Sequence, residues 1–118
     1  MEYAIENEYL IVTVTTWGAQ VKSVVRKFDD VEHMWQADKS VWGYHAPILF
    51  PHTGKVVDDL IETKGEVYQA KQHGFARLME HTLVRQTEDT IVMELRSSEE
   101  TLRIFPYAFR LVSTFTLD

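Results

Sequence analysis

The segment Phe109-Arg110-Leu111-Val112-Ser113-Thr114-Phe115-Thr116-Leu117 decides the fold class. Its large apolar side chains occupy alternate positions: Phe109, Leu111, Phe115 and Leu117. The positions between them carry Arg110, Val112, Thr114 and Thr116. Successive side chains of a β-strand point to opposite faces of the sheet, so this alternation predicts a strand with one face in a core.

The same alternation recurs earlier in the chain. It predicts strands at Leu10 to Thr15, at 21 to 25 and at 91 to 95, the last with a partner strand at 81 to 86. Trp17-Gly18-Ala19 predicts a turn or bulge, and Asp29-Asp30 predicts a turn before His33-Met34-Trp35. Only 38 to 42 and 98 to 102 indicate a helical turn, and both are too short for a stable helix. We therefore predict an all-β protein, an antiparallel β-sandwich.

Composition excludes several classes of protein. The chain has 118 residues, which fits one domain, and it lacks cysteine, which excludes disulfides and thiolate metal sites and favours a cytoplasmic location. Twelve basic residues against 18 acidic ones give a net charge of -6, which argues against nucleic acid as a partner. No apolar run reaches the roughly 20 residues of a membrane span, so we expect no membrane partner.

The end of the sequence suggests a fragment. The chain stops at Asp118, directly after the strand that closes on Leu117, with no turn or polar tail to follow. We expect residues 1–118 to be a single N-terminal portion of a larger domain, truncated at its C-terminus. An apolar strand left at an open edge would also favour self-association.

Residues 42 to 77 do not fit the strand pattern and are rich in Pro, Gly and His, which is typical of loops that carry function. Two motifs stand out, Pro47-Ile48-Leu49-Phe50-Pro51-His52-Thr53-Gly54-Lys55 and Gln72-His73-Gly74-Phe75-Ala76-Arg77. The first ends in a glycine turn that delivers the cation of Lys55. In the second, His73 suits acid/base catalysis or hydrogen bonding to a substrate oxygen, and Arg77 suits a hydroxyl-rich or anionic ligand.

Each of these residues also has a structural alternative. His73 would satisfy a turn carbonyl, and Arg77 would pair with a carboxylate. Phe75, between them, is given a functional interpretation only: its aromatic face would suit the apolar side of a sugar ring. His45 and His52, with Asp58 and Asp59 nearby, match no metal-ligand spacing, so we predict ordinary loop residues and no metal. The other histidines, His33 and His81, are predicted at the surface or at a strand edge, and the tryptophans are predicted to pack, with Trp42 as an alternative pocket residue.

In order along the chain, these motifs resemble the aldose 1-epimerase (galactose mutarotase-like) family, in its LacX-type branch. The resemblance rests on Trp17-Gly18-Ala19, on Pro-Ile-Leu-Phe-Pro-x-x-Gly at 47 to 54, on Gly65-x-x-Tyr68, on His73 to Arg77 and on Phe105-Pro106-Tyr107-Ala108-Phe109. It covers essentially the whole chain. It implies part of a large β supersandwich, which agrees with the strand pattern.

The resemblance also implies a function. The expected reaction interconverts the α and β anomers of a hexose or hexose phosphate by acid/base opening of the ring, with no cofactor. His73 matches the histidine that assists at the sugar oxygen, and Lys55, His73 and Arg77 are the expected substrate-binding residues. Lys55 stands where the family usually has arginine, and the family's glutamate, second histidine and aspartate lie outside these 118 residues. A non-catalytic carbohydrate-binding module or a β-sandwich interaction module therefore remains an alternative, and the chain alone is expected to be inactive.

Overall fold

The computed structural model describes all 118 residues, and its three sheets are antiparallel throughout. The first sheet has the order β1 (Glu2–Glu6), β2 (Leu10–Thr15), β3 (Gln20–Arg26) and β4 (Val31–Glu32). The second is the hairpin of β5 (Leu60–Thr63) and β6 (Glu66–Gln69). The third has the order β7 (Thr82–Gln86), β8 (Thr90–Arg96) and β9 (Arg110–Thr116), with the helix α1 (Glu99–Ile104) between β8 and β9. The all-β, antiparallel prediction is confirmed.

One core joins the first and third sheets. Its buried members are Ile5, Val14, Ala19, Ile91 and Met93, which come from both sheets and from the turn after β2. Phe115 and Leu117 pack against this cluster from β9 and the residue beyond it, as the alternating pattern predicts. The Gln86 amide also donates to the Ala4 carbonyl across the two sheets at 2.8 Å. The apolar faces of the two sheets are therefore packed together as a sandwich.

The segment 42 to 77 is more regular than its sequence predicts. It contains the β5–β6 hairpin, whose two turn residues, Lys64 and Gly65, both have positive φ angles of 54° and 75°. Such a turn matches the twist of the flanking strands, but its usual sequence signal is Asn-Gly or Asp-Gly. The absence of strands predicted for this segment is wrong, because a Lys-Gly turn and four-residue strands give a weak signal.

The helical turn predicted at 98 to 102 is a six-residue helix, α1. Ser98 begins it with a reciprocal capping pair: the Ser98 hydroxyl accepts from the Thr101 N–H, and the Thr101 hydroxyl accepts from the Ser98 N–H. Thr101 is completely buried. The helix is thus stabilised by its cap and by packing, since its length alone would not suffice.

Strand β9 lies at the edge of its sheet, so one side of its backbone has no strand partner. The self-association expected from such an edge stays a prediction. None of the helices has the length and apolarity needed to cross a membrane.

Candidate functional site

The two loop motifs lie side by side, joined by main-chain hydrogen bonds. The Phe50 carbonyl accepts from the Phe75 N–H at 2.9 Å and from the Ala76 N–H at 3.2 Å. Phe50 also forms an isolated parallel bridge with Gly74, and the Phe50–Pro51 peptide bond is cis. The close separation of the two motifs therefore has a structural basis, because each holds the backbone of the other.

Gly74 makes this approach possible. Its φ angle is +72°, and a Cβ atom placed on it would lie 2.1 Å from the Phe50 carbonyl oxygen. Real Cβ atoms do not come so close to an oxygen, so only glycine fits between the two motifs.

The His73 ring is held by a reciprocal pair with Gly54. The His73 N–H donates to the Gly54 carbonyl at 2.9 Å, and the Gly54 N–H donates to Nδ1 of the His73 ring at 2.9 Å. Nδ1 therefore accepts a hydrogen bond, so the proton of the neutral imidazole lies on Nε2. The main chain of His73, and not its ring, serves a loop carbonyl, and Nε2–H of the ring remains as a donor for a ligand.

Lys55 follows Gly54 directly and so lies in the loop that holds His73. Its side chain is exposed and forms neither an ion pair nor a hydrogen bond. The structure therefore brings Lys55 and His73 into one loop pair and leaves the ammonium group in solvent.

Arg77 contacts an aromatic ring and a loop carbonyl. Its Nη2 donates to the Gln72 carbonyl at 3.1 Å, and its guanidinium carbon lies 4.8 Å from the centre of the Tyr44 ring. Its Nε is buried without a hydrogen-bond partner. Arg77 forms no ion pair with any carboxylate, so the carboxylate alternative is wrong. The guanidinium instead links Tyr44 to the residue that precedes His73.

Phe75 does not offer a free aromatic face. Its ring packs edge-on against Phe50 at 6.0 Å between ring centres and contacts Phe105 and Phe109 at 6.2 and 5.8 Å. Aromatic clusters of this kind stabilise a fold through buried area and favourable ring geometry. Its ring therefore anchors the loop, and the expectation that Phe75 faces a sugar stays a prediction.

Comparison with known proteins gives the same assignment as the motifs. The profile of the aldose 1-epimerase family matches residues 1–118. The chain belongs to the aldose 1-epimerase family. The resemblance seen in the motifs, including the LacX-type branch, is thereby confirmed.

The relatives in this family are longer. Two LacX proteins of Lactococcus lactis subsp. lactis, one plasmid-borne and one chromosomal, are each 33% identical over 123 residues, covering the whole chain and 41% of their own length. A galactose mutarotase related enzyme from Lactobacillus acidophilus superposes with a TM-score of 0.98 at 37% identity, and 39% of that chain is covered. A galactose mutarotase-like protein from Lactobacillus casei gives 0.95 at 33% identity, with 40% covered. The chain thus spans about two fifths of the relatives it matches.

A cavity of about 400 Å³ adjoins the motifs of this family member without containing the predicted site residues. It lies between the β5–β6 hairpin, α1 and the loop after Gly74, and Phe75 and Tyr68 belong to its wall. Lys55, His73 and Arg77 do not line it. The loop pair around His73 is therefore the better candidate site, since it carries the motif residues and a free donor.

The other two histidines in the segment 42 to 77 differ in their surroundings. Nδ1 of His45 donates to the Trp35 carbonyl at 2.7 Å, because a carbonyl only accepts. Both ring nitrogens of His52 are buried without a partner. No three His, Asp or Glu side chains gather closely enough to hold a metal ion.

His81 is buried, which corrects its predicted place at the surface. It is 2% exposed, its N–H donates to the Thr16 carbonyl at 2.8 Å, and its Nε2 donates to the Ala76 carbonyl at 3.0 Å. Burial lowers the pKa of its imidazole, against smaller opposite effects of the Ala76 carbonyl and Glu80. His81 therefore joins the first sheet to the end of the His73 loop as a neutral ring.

The lowered pKa of His81 predicts a loss of stability in mild acid. Above its ordinary pKa of 6.5 the ring is neutral in both states, but below that pH the unfolded chain takes up a proton that the folded chain resists. The free energy of unfolding should fall as the pH drops from 6.5 to the lowered pKa, before most carboxylates titrate. Urea titrations across this range measure it. His81→Gln should remove the dependence and exposed His33→Gln should keep it; an unchanged slope in His81→Gln would contradict the prediction.

Proposed function

We propose that the protein interconverts the α and β anomers of a hexose or hexose phosphate. The observation that carries this proposal is the His73–Gly54 pair, which leaves Nε2–H of His73 as an oriented donor in a family of carbohydrate enzymes. Because the chain covers only 41% of the LacX relatives, the proposal concerns the protein as its source cells make it, here called the native protein.

The reaction sets the chemistry that the site must supply. A base removes the proton of the anomeric hydroxyl, the bond between C1 and the ring oxygen breaks, and the ring oxygen takes up a proton. The resulting aldehyde rotates about the C1–C2 bond and closes on its other face by the reverse steps. A donor already aimed at the oxygen that gains negative charge lowers the barrier, because no reorganisation is needed during the reaction.

We assign His73 to that donor role through Nε2–H, with Lys55 and Arg77 as substrate-binding residues. The free ammonium of Lys55 suits a sugar hydroxyl or a phosphate as a single charge, without the paired donors of an arginine. Arg77 would act through the N–H groups that the Gln72 carbonyl leaves free. By the family resemblance, the acid and the base come from residues outside the 118 described.

We further propose that the protein works in the cytoplasm.

Two-dimensional exchange NMR tests the proposal. The native protein should speed the exchange between the anomeric protons of glucose or galactose, and a parallel series with the 6-phosphates shows which form Lys55 favours. Saturable sugar binding without faster exchange would overturn the enzyme proposal in favour of a non-catalytic carbohydrate-binding protein. If no sugar binds at high millimolar concentration, the interaction module becomes the better reading.

A further inference from the structure

Three side chains in contact, Trp42, Tyr44 and Arg77, lead from the surface to the His73 loop and are here called the stack, although the Trp42 and Tyr44 rings are tilted by 49°. The Trp42 ring centre lies 5.9 Å from that of Tyr44, and the Arg77 guanidinium carbon lies 4.8 Å from the Tyr44 ring centre. The same guanidinium donates to the Gln72 carbonyl. Trp42 is 47% exposed. The outermost aromatic ring of the stack is therefore open to solvent, while the innermost member contacts the neighbour of His73.

The backbone beneath Trp42 is fixed. The Asp38 carbonyl accepts from the N–H groups of Val41 and Trp42 at 2.9 and 2.7 Å, and the Trp35 indole donates to the Trp42 carbonyl at 2.8 Å. A side chain presented on a closed turn loses little conformational freedom when it contacts a ligand. This arrangement suits a recognition surface, because an aromatic ring is held half-exposed on a hydrogen-bonded turn.

The Trp42 ring is more accessible than the aromatic ring of the His73 motif itself. Phe75, in the same motif as His73, is packed among Phe50, Phe105 and Phe109. The carbon-bound hydrogens of a pyranose ring form an apolar face with slight positive charge, which is attracted to the negative face of an aromatic ring. Trp42 offers such a face beside the loop, because nearly half of its surface is exposed.

We propose that Trp42, backed by Tyr44 and fixed to the loop by Arg77, is a stacking platform for the apolar face of a hexopyranose. This inference rests on the proposed function, because it concerns the sugar that the site would bind. It assigns affinity for the ring to the Trp42 stack and leaves the hydrogen bond to the sugar oxygen with His73. Arg77, which the proposed function assigns to substrate binding, would in addition hold Tyr44 against the loop.

Calorimetric titration of the native protein with methyl β-D-galactopyranoside tests the platform. This glycoside has no anomeric hydroxyl, so its ring cannot open and binding is measured apart from any reaction. Trp42→Ala should weaken binding about three- to tenfold, and Trp42→Phe should retain most of the affinity. Trp17→Ala is the matched control, since Trp17 is 50% exposed and lies outside the stack, and it should leave the affinity unchanged.

A measurement on the unsubstituted protein guards against a variant that fails to fold. The indole N–H resonance of Trp42 should shift during the titration while that of Trp17 stays in place. Unchanged affinity in Trp42→Ala, or equal shifts of both indoles, would overturn the platform even if anomer exchange is fast. Normal Trp42-dependent binding without anomer exchange would instead overturn the proposed enzyme activity and support the platform.

Discussion

Replacing His73 by alanine should lower the rate of anomer exchange by the native protein at least about 10²-fold, because a donor aimed at a charging oxygen contributes this much or more. The substitution removes the Nε2–H group and leaves the Gly54 N–H without its acceptor. Two-dimensional exchange NMR at a fixed sugar concentration measures the rate directly.

Two further variants make the result specific. His73 has a φ angle of 65°, a left-handed conformation that asparagine tolerates better than alanine. His73→Asn therefore keeps a fold-compatible residue whose oxygen accepts from Gly54, but it has no donor at the position of Nε2, so its exchange rate should fall similarly. His33→Ala, at an exposed position, should leave the rate unchanged. Full exchange activity in both His73 variants would refute the assignment.

Gly74→Ala should cost the native protein roughly 3 kcal/mol or more in free energy of unfolding. The new Cβ would meet the Phe50 carbonyl oxygen at 2.1 Å, so the two motifs must separate. Separation sacrifices the hydrogen bonds from the Phe75 and Ala76 N–H groups, each worth about 1 kcal/mol, and the positive φ adds about 1 kcal/mol of strain. The midpoint of urea unfolding, followed by circular dichroism, measures the loss.

Gly65→Ala is the matched control for Gly74→Ala. Gly65 has nearly the same φ angle, +75°, but no atom lies within 4 Å of the position that its Cβ would take. The control should therefore cost only the conformational strain of about 1 kcal/mol. Equal losses in the two variants would show that the contact with Phe50 adds nothing.

The strands that the sequence predicts are those with an apolar face in the core. Leu10–Thr15 and 91 to 95 alternate because Val14, Ile91 and Met93 must point inward. Strand β1 is not predicted because Glu2, Ala4 and Glu6 are poor strand formers. It is a strand because it pairs with β2. The β5–β6 hairpin is not predicted for a similar reason, since its partners include a distant segment: Thr63 shares a hydrogen bond with the Tyr107 hydroxyl, and the Lys64 ammonium lies 4.3 Å from the centre of the Tyr107 ring.

The candidate site, like the fold, is predicted only in part by the sequence. Prolines, glycines and histidines mark both motifs, so their importance is visible in the sequence. The stacking of Arg77 on Tyr44, the packing of Phe75 against Phe50 and the burial of His81 depend on which segments meet in space. Local sequence does not predict such contacts, because the same residue type occurs both in a core and at a sheet edge.

Main-chain atoms, not side chains, supply most of the bonds that hold the His73 loop. The carbonyls of Phe50 and Gly54 accept from the loop, and any residue type has such a carbonyl. Lys55 extends from this frame without supporting it. A substitution at the exposed position of Lys55 can therefore change the charge at the rim while the imidazole keeps its place, so in evolution the shape of this site and its surface charge are free to change independently.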